Sequence, residues 1–335
     1  MKKLVYIGNN LDLKNPTTMV LLSALLEEIG FEVSIYSNKK NKLIRLLAMC
    51  FGVFKHRKAN CLLIDTYSTS NFYYAVLTSQ LARFFNLNYI PVLHGGNLPK
   101  RLNNSPFLSN LLFKYSKVNI APSNYLLEKF QQEGFQTQFI SNAIVIKNYP
   151  FKLRTALAPK ILWVRAFDTI YNPIMALKVL VVLKKTHPEA SLCMVGPDKD
   201  GSLMNVKKLA KELGIQNAVE FTGLLDKKDW IKKSETFDVF INTTTVDNTP
   251  VSVLEAMALG LPVVSTNVGG IPYLINNEVT GVLVENNKEL AMANAIVKLI
   301  ESPIETKIMT KNARTLVEGF DVAIVKQQWY KLLSE

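Results

Sequence analysis

The chain has 335 residues, of which 48% are hydrophobic and 20% are charged. This composition is ordinary for a globular protein, and it excludes a disordered chain, a collagen-like chain and a low-complexity linker. The three cysteines form no CxxC pair, which argues against a disulfide scaffold or a structural zinc site and favours a reducing, cytoplasmic compartment. No stretch of the sequence reaches the roughly 20 apolar residues that a membrane span needs.

The excess of positive charge is confined to the first half of the chain. Residues 1–155 contain 19 Lys or Arg and 7 Asp or Glu, whereas residues 156–335 contain 20 of each. A basic half joined to a neutral half predicts that one domain meets an anionic surface. Because the sequence has no RNP, KH or Gly-rich basic pattern, we do not expect that surface to be nucleic acid.

Residues 39–58 concentrate this charge around the apolar segment 46–54. Such an arrangement suits an anionic membrane surface, and a buried helix with basic ends is the alternative. The flanking cations are Lys39, Lys40, Lys42, Arg45, Lys55, Arg57 and Lys58.

Short apolar runs alternate with longer amphipathic segments, which is typical of βαβ units and a parallel sheet. In the first half, the pattern predicts strands at residues 4–8, 31–36, 62–65, 89–93 and 118–121, with a helix at residues 17–29 after the first of them. Residues 147–159 lose the periodicity and contain two prolines, so a domain boundary is expected there.

The alternation then restarts in the second half. Strands are predicted at residues 161–164, 191–195, 219–222, 239–242 and 262–265, and helices at residues 174–185, 203–213, 227–233 and 251–259. We therefore expect an α/β protein with two doubly wound, Rossmann-like domains, 1–150 and 151–320. They would face each other across a ligand-binding cleft, with a last helix, 321–335, packed back on the first domain.

The segment from residue 242 to residue 284 carries the strongest chemical signal. Thr249 is a suitable helix cap and Pro250 suits the first helical position. The next three amides would then be free to bind an anion at the positive end of the helix dipole. These donors belong to Val251, Ser252 and Val253.

Two carboxylates and two glycines complete this segment. Asp247 precedes the helix and Glu255 lies inside it, so they could bind hydroxyls of a sugar and a ribose on either side of a diphosphate. Gly269 and Gly270 allow a second close approach of the backbone. A capped helix with a solvated Glu255 and an ordinary glycine turn is the alternative.

The run from Glu255 to Val264, EAMALGLPVV, together with Gly269 and Gly270, resembles the donor-binding signature of glycosyltransferase family 4. Asp247 stands where that family has the first of two Glu that bracket seven residues. The resemblance implies the GT-B fold and retaining transfer of a sugar from a nucleoside-diphosphate sugar to a hydroxyl acceptor. It also implies a role in the synthesis of surface polysaccharide or lipid-linked glycan.

The resemblance further implies that Arg165, at a strand end, contacts the donor diphosphate, with a surface ion pair as the alternative. The family usually has Lys-Gly shortly afterwards, whereas this chain has Tyr171 and Asn172 and no Lys in that loop. Other positions that match the family's donor side are Gly196, Leu224 and Leu225, the last two near the nucleobase; ordinary strand termination is nearly as good an explanation for them.

In the first half, His94 matches a family His near the reacting centre, beside Gly95 and Gly96, and a core or capping role is the alternative. The two cations that follow these glycines in the sequence could bind an acceptor phosphate. The loop after the first strand resembles the family's acceptor loop but lacks its usual Gly-Gly. These acceptor positions are Lys100 and Arg101, and Gly8, Asn9 and Asn10.

We expect a transferase that needs no cofactor and no metal, because cationic side chains can neutralise the phosphates. Arg165, Asp247, Glu255 and His94 are the predicted catalytic residues. The expected location is cytoplasmic, peripheral on the inner face of the cell membrane. Two alternatives stay open: a nucleotide-sugar epimerase on the same fold, and a non-catalytic protein that binds sugar nucleotides or membrane surfaces.

Overall fold

The computed structural model describes residues 1–10 and 17–335, which form two compact units. Unit 1 comprises residues 1–143 and 322–335, and unit 2 comprises residues 144–321. The division falls between residues 143 and 144 rather than between 150 and 151, because Ile144 already forms a β-bridge with Asp321 within unit 2.

Unit 1 is built on six parallel strands with helices on both faces. The strands are β1 (Lys3–Ile7), β2 (Glu32–Tyr36), β3 (Cys61–Thr66), β4 (Tyr89–Leu93), β5 (Asn119–Ala121) and β6 (Thr137–Phe139). The helices are α1 (Thr18–Glu28), α2 (Lys42–Lys55), α3 (Asn71–Phe84), α4 (Leu98–Asn104), α5 (Pro106–Phe113), α6 (Asn124–Gln132) and, from the end of the chain, α14 (Val322–Ser334). The strand order is β2-β1-β3-β4-β5-β6.

The helices of unit 1 pack into two separate core clusters. Helices α2, α3, α5 and α6 bury residues such as Met49, Phe72 and Phe130 in one cluster. Helices α1 and α14 bury Met19 and Trp329 in the other. Every residue of β3 and β4 is buried, as expected for the centre of a parallel sheet that is covered on both faces.

Unit 2 repeats this architecture. Its strands are β7 (Lys160–Val164), β8 (Ser191–Val195), β9 (Val219–Gly223), β10 (Val239–Asn242), β11 (Val263–Thr266) and β12 (Val282–Val284). Its helices are α7 (Pro173–Leu183), α8 (Ser202–Glu212), α9 (Lys227–Ser234), α10 (Val251–Ala258), α11 (Ile271–Leu274), α12 (Glu289–Glu301) and α13 (Pro303–Glu318). Short 3-10 helices span Ile146–Asn148, Thr169–Tyr171 and Gln216–Ala218. The strand order is β12-β11-β10-β7-β8-β9.

The direction of winding reverses once in each sheet. The reversal lies between β1 and β3 in unit 1 and between β7 and β10 in unit 2, and each of these strand pairs is parallel. The loops after two such strands diverge and leave a crevice at the carboxyl edge of the sheet, which is where doubly wound sheets bind ligands. None of the helices in the two described ranges is long and apolar enough to cross a membrane.

Candidate functional site

Arg165 and Asp247 lie at the switch point of unit 2 and form an ion pair. Arg165 directly follows β7, and Asp247 lies in the loop that joins β10 to α10. A guanidinium nitrogen of Arg165, Nη2, contacts Oδ2 of Asp247. Only 14% and 17% of the two side chains are exposed, so this is a buried pair rather than a surface one.

The Arg165 guanidinium also lies over the Tyr171 ring, with Cζ 4.4 Å from the ring centroid. Burial lowers the pKa of Arg165 to about 10, and the nearby Tyr171 opposes this shift. The side chain therefore keeps its charge at neutral pH. Its buried Nε has no hydrogen-bond acceptor among the described residues, which leaves a donor for an anion.

Lys199 brings a second cation to Tyr171 from the loop after β8. Its Nζ lies 5.8 Å from the centroid of the Tyr171 ring and 2.7 Å from a carboxylate oxygen of Asp168. The loop from residue 165 to residue 173 contains no Lys, as the sequence indicated, but the fold supplies one from the neighbouring strand end.

The glycine turn after β11 holds the backbone of Asp247. The Gly270 amide donates to the Asp247 carbonyl at 2.9 Å. A Cβ at Gly269, where φ is +54°, would overlap that same carbonyl, and one at Gly270 would overlap the carbonyl of Asn248. A side chain at either glycine would therefore displace the loop that carries Asp247.

Gly196 has a comparable role at the end of β8. A Cβ there would overlap the Arg165 carbonyl, so only glycine lets the two strand ends meet. The Gly196 amide donates to the carbonyl of Gly223 at 2.9 Å, which places the next residues, Leu224 and Leu225, on the same edge of the sheet. Both leucines are half-buried, and their contact with a nucleobase stays a prediction.

The amino end of α10 differs from the expectation by one residue. The helix begins at Val251, so Pro250 is the N-cap residue rather than the first helical one, and Thr249 lies one position before the cap. The Val253 amide donates to the Pro250 carbonyl at 3.0 Å and is not free for a ligand. Of the three expected donors, the amides of Val251 and Ser252 remain.

Glu255 is buried, not solvated, and its carboxylate is held by two side chains. The Tyr149 hydroxyl donates to Oε1 at 2.7 Å, and the Lys227 ammonium contacts the same oxygen. The side chain of Glu255 is 5% exposed and that of Lys227 is 54% exposed. Burial, followed by the Glu255 charge, raises the pKa of Tyr149 well above its usual value. Sequence spacing gave no signal for either partner.

In unit 1, His94 is buried at the carboxyl end of β4 and pairs with a carboxylate that the sequence analysis missed. His94 Nε2 lies 2.8 Å from Oδ1 of Asp65, and the Tyr6 hydroxyl donates to that same oxygen at 2.8 Å. The Tyr67 ring stacks on the imidazole, with 4.7 Å between the ring centroids. This environment fixes the orientation of the His94 ring.

The predicted acceptor loop begins beside this group. A Cβ at Gly8 would press on the Asp65 carboxylate at 2.7 Å. The Asn9 side chain bonds to Asn71 and Arg45, and the Asn10 amide donates to the Ser37 carbonyl. The continuation of this loop, residues 11–16, lies outside the described residues.

The other predicted acceptor residues follow β4. Gly95 has a positive φ of 84°, and the Gly96 carbonyl accepts a hydrogen bond from the Tyr125 hydroxyl at 3.4 Å. Lys100 is exposed on α4. Arg101 instead donates twice to the Ser68 carbonyl, at 3.0 and 2.6 Å, so its guanidinium holds the loop after β3.

Residues 146–316, which are most of unit 2 and about half of the chain, match the model of the family described as Glycosyl transferases group 1. An uncharacterized glycosyltransferase from Haemophilus influenzae is 28% identical over 210 residues, which cover 62% of this chain and 57% of that protein. The UDP-Gal:alpha-D-GlcNAc-diphosphoundecaprenol alpha-1,3-galactosyltransferase of Escherichia coli is 30% identical over 138 residues, 40% of this chain and 34% of that protein.

The chain thus spans about a third to somewhat more than half of the length of these two curated relatives. Among solved structures, Anabaena HepE in complex with UDP superimposes over 100% of both chains, with a TM-score of 0.79 and 20% identity. This likeness is one of fold, namely two parallel six-stranded sheets with flanking helices.

Proposed function

The chain belongs to the group 1 glycosyltransferases and has the GT-B fold, and from this premise we propose that it transfers a sugar from a nucleoside-diphosphate sugar to an acceptor hydroxyl. The observation that carries this proposal is the buried Arg165–Asp247 pair at the switch point of unit 2. A buried guanidinium with an unused donor, in the loop after the central strand, is well suited to binding a diphosphate.

The diphosphate would bind to Arg165 and to the amides of Val251 and Ser252. As the bond between the anomeric carbon and the diphosphate oxygen breaks, negative charge develops on that oxygen, and prepositioned donors stabilise it. The acceptor oxygen forms the new bond on the same face of the sugar and passes its proton to the departing phosphate oxygen. Retention of the anomeric configuration follows from this course and rests on the resemblance to family 4.

In this proposal the two carboxylates bind hydroxyl groups of the donor. Asp247 would share its charge between Arg165 and a sugar hydroxyl, and Glu255 would accept hydrogen bonds from the ribose. Uridine is our first choice of nucleoside because HepE was crystallised with UDP. The base would meet the backbone at Leu224 and Leu225.

We propose that no metal ion is required, because Arg165 and Lys199 already bring positive charge to the diphosphate site. The transfer rate should therefore be unchanged after EDTA treatment. A rate that is lost with EDTA and restored by Mg²⁺ would contradict this part of the proposal.

The acceptor would be a glycan or a lipid-linked saccharide of a surface-polysaccharide pathway. Support comes from the Escherichia coli relative, whose name specifies a diphosphoundecaprenol acceptor. On the acceptor side we place His94 and Lys100, with the backbone of residues 8–10 and 95–96. Contact of residues 39–58 with an anionic membrane, on its cytoplasmic face, would bring the enzyme to such an acceptor.

The experiment begins with a thermal-shift panel of UDP-, GDP-, ADP- and TDP-sugars, because a ligand that binds the native state raises its stability. The best donor is then incubated with and without saccharide acceptors, and the products are separated and their anomeric configuration is read by NMR. A new glycoside that requires the acceptor, and that Arg165→Ala and Glu255→Ala abolish while Lys208→Ala does not, supports transfer.

The same experiment identifies the two alternatives. Conversion of the donor sugar without any acceptor would indicate an epimerase. Binding without turnover or hydrolysis of any donor would indicate a non-catalytic sugar-nucleotide protein.

A further inference from the structure

Helix α2 has apolar side chains on both of its sides, whereas a surface helix normally has one apolar side. Met49 and Val53 point into the core cluster of unit 1. The opposite side consists of large apolar residues that are each exposed by half or more. They are Leu43, Ile44, Leu47, Phe51 and Phe54.

The exposed apolar side continues onto α3. Helices α2 and α3 pack against each other and bury their inner sides in the same core cluster, so their outer sides face away from the same face of the sheet. Tyr73, Leu77 and Phe84 are exposed on α3. The Phe85 ring, directly after α3, packs between side chains of the two helices. Its centroid lies 5.9 Å from that of Phe54 and 5.1 Å from that of Phe84. We call these eight exposed residues of α2 and α3 the α2–α3 surface.

The charged residues in this part of the sequence are nearly all positive. Between Glu32 and Glu128 the sequence has twelve Lys or Arg and a single acidic residue, Asp65, which is buried. Exposed cations stand at both ends of α2: Lys39, Lys40 and Lys42 before or at its start, and Lys55, Arg57 and Lys58 at or after its end.

Arg45, which the sequence grouped with these cations, is buried. Its guanidinium donates to the carbonyls of Lys39 and Lys40 and to Asn9, so it holds the loop before α2 instead of facing solvent. The assignment of Arg45 to a lipid-facing group is therefore wrong.

A groove of about 810 Å³ borders the surface at the end of α3. Its lining includes Arg83, which lies over the ring of Tyr115 with Cζ 3.8 Å from the ring centroid. The side-chain amides of Asn86 and Asn88 complete a polar wall beside Phe84, while Gln80 donates to Leu111 and accepts a 2.7 Å hydrogen bond from Arg83. A guanidinium and amide donors next to an exposed aromatic side chain fit a phosphate headgroup with its acyl chains alongside.

We propose that the α2–α3 surface lies in the interface of an anionic phospholipid bilayer, with its apolar side chains at the acyl boundary and the flanking cations on the headgroups. This inference rests on the membrane contact proposed for residues 39–58, extends it to α3 and the Arg83 groove, and does not depend on the transfer reaction. A symmetric dimer through the same surface would instead bring like charges together, which disfavours a second copy as the occupant.

The first test measures co-sedimentation of the full chain with vesicles of phosphatidylcholine, with and without phosphatidylglycerol. We expect binding to the anionic vesicles only, and binding that weakens as salt is added. The double variant Leu47→Ser/Phe51→Ser should bind at least about tenfold more weakly, because it removes apolar area from the interface. Ile304→Ser, an equally exposed apolar residue of unit 2, is the matched control and should bind like the wild type.

The second test uses fluorescence, since the three native tryptophans, Trp163, Trp230 and Trp329, are buried. A Phe51→Trp variant should show a blue shift of its emission when anionic vesicles are added and no shift with neutral ones. Equal binding to neutral vesicles, or no binding to either kind, would overturn the inference. So would a dimer in solution that Leu47→Ser/Phe51→Ser dissociates.

Binding of UDP, measured on the same samples, separates this inference from the proposed function. Loss of vesicle binding with unchanged UDP affinity would leave the transferase proposal intact. Vesicle binding by a protein that binds no sugar nucleotide would support the membrane inference and contradict the proposed function.

Discussion

The Tyr149 hydroxyl donates a 2.7 Å hydrogen bond to Oε1 of Glu255, the same carboxylate oxygen that the Lys227 ammonium contacts. No hydrogen bond from the described residues reaches the second oxygen, Oε2. The buried carboxylate is thus oriented on one side and open on the other. This is the geometry expected for a group that accepts hydrogen bonds from a ligand.

This relationship predicts how the protein recognises ribose. Wild type should bind UDP more tightly than 2′,3′-dideoxy-UDP, by about ten- to a hundredfold, since a hydrogen bond to a charged group contributes roughly 1.5–3 kcal/mol. Glu255→Gln should remove most of that preference, as measured by isothermal titration calorimetry with both ligands. Glu212→Gln, on the exposed side of α8, should leave it unchanged, and an undiminished preference in Glu255→Gln would exclude the ribose contact.

The His94–Asp65 pair in unit 1 leads to a second prediction. Asp65→Asn keeps the size of the side chain but removes the charge that orients the imidazole. We expect turnover to fall by roughly ten- to hundredfold, the range in which misplacement of a reacting group affects rates. UDP affinity should stay unchanged, because the groups assigned to UDP are all in unit 2.

Tyr6→Phe is the matched variant for this test, since it removes the other hydrogen bond to Asp65 and leaves the His94 contact in place. It should lower turnover less than Asp65→Asn does. Equal turnover of Asp65→Asn and wild type would mean that His94 has only a structural role.

Much of the fold could be predicted from the sequence, because buried parallel strands are short continuous apolar runs. The runs that end in Asp65, Leu93, Val164 and Asn242 all lie in strands. The two strands that escaped prediction, Thr137–Phe139 and Val282–Val284, have only three residues each and are partly exposed. Such segments carry too few apolar positions to show a periodicity.

The sequence predicted which residues at the strand ends belong to the site. It did not predict which side chains contact one another there. Arg165 and Asp247 were identified from motifs, but their contact depends on the pairing of β7 with β10. Tyr149 and Lys227 meet Glu255 from two other segments, and no local spacing links them. The cap at Pro250 instead of Thr249 is a one-residue displacement of the kind that helix ends commonly show.

Lys199 provides a third prediction, because its ammonium lies near Tyr171 and the loop from residue 165 to residue 173 contains no Lys of its own. We expect Lys199→Met to weaken UDP binding by about three- to tenfold, as the loss of a half-exposed charge near a phosphate costs roughly 1 kcal/mol. The comparison is with Lys208→Met on α8, which should bind UDP normally. Wild-type affinity in Lys199→Met would restrict the diphosphate contacts to Arg165 and the helix amides.

A double variant of the Arg165–Asp247 pair can distinguish a role of the pair in UDP binding from a role in stability. Replacing a buried ion pair by neutral groups of similar volume often changes the free energy of unfolding little. We therefore expect the free energy of unfolding of Arg165→Met/Asp247→Asn to lie within about 1 kcal/mol of the wild-type value. Chemical denaturation is the measurement for this comparison. A much larger loss of stability would show that the pair is needed to hold the two loops together.

Calorimetric titration of UDP into wild type and into the folded Arg165→Met/Asp247→Asn variant tests the diphosphate site most directly. The affinity of the variant should fall by about a hundredfold, which corresponds to roughly 2.7 kcal/mol. Wild-type affinity in a variant that is folded and as stable as the wild type would contradict the placement of the diphosphate at Arg165.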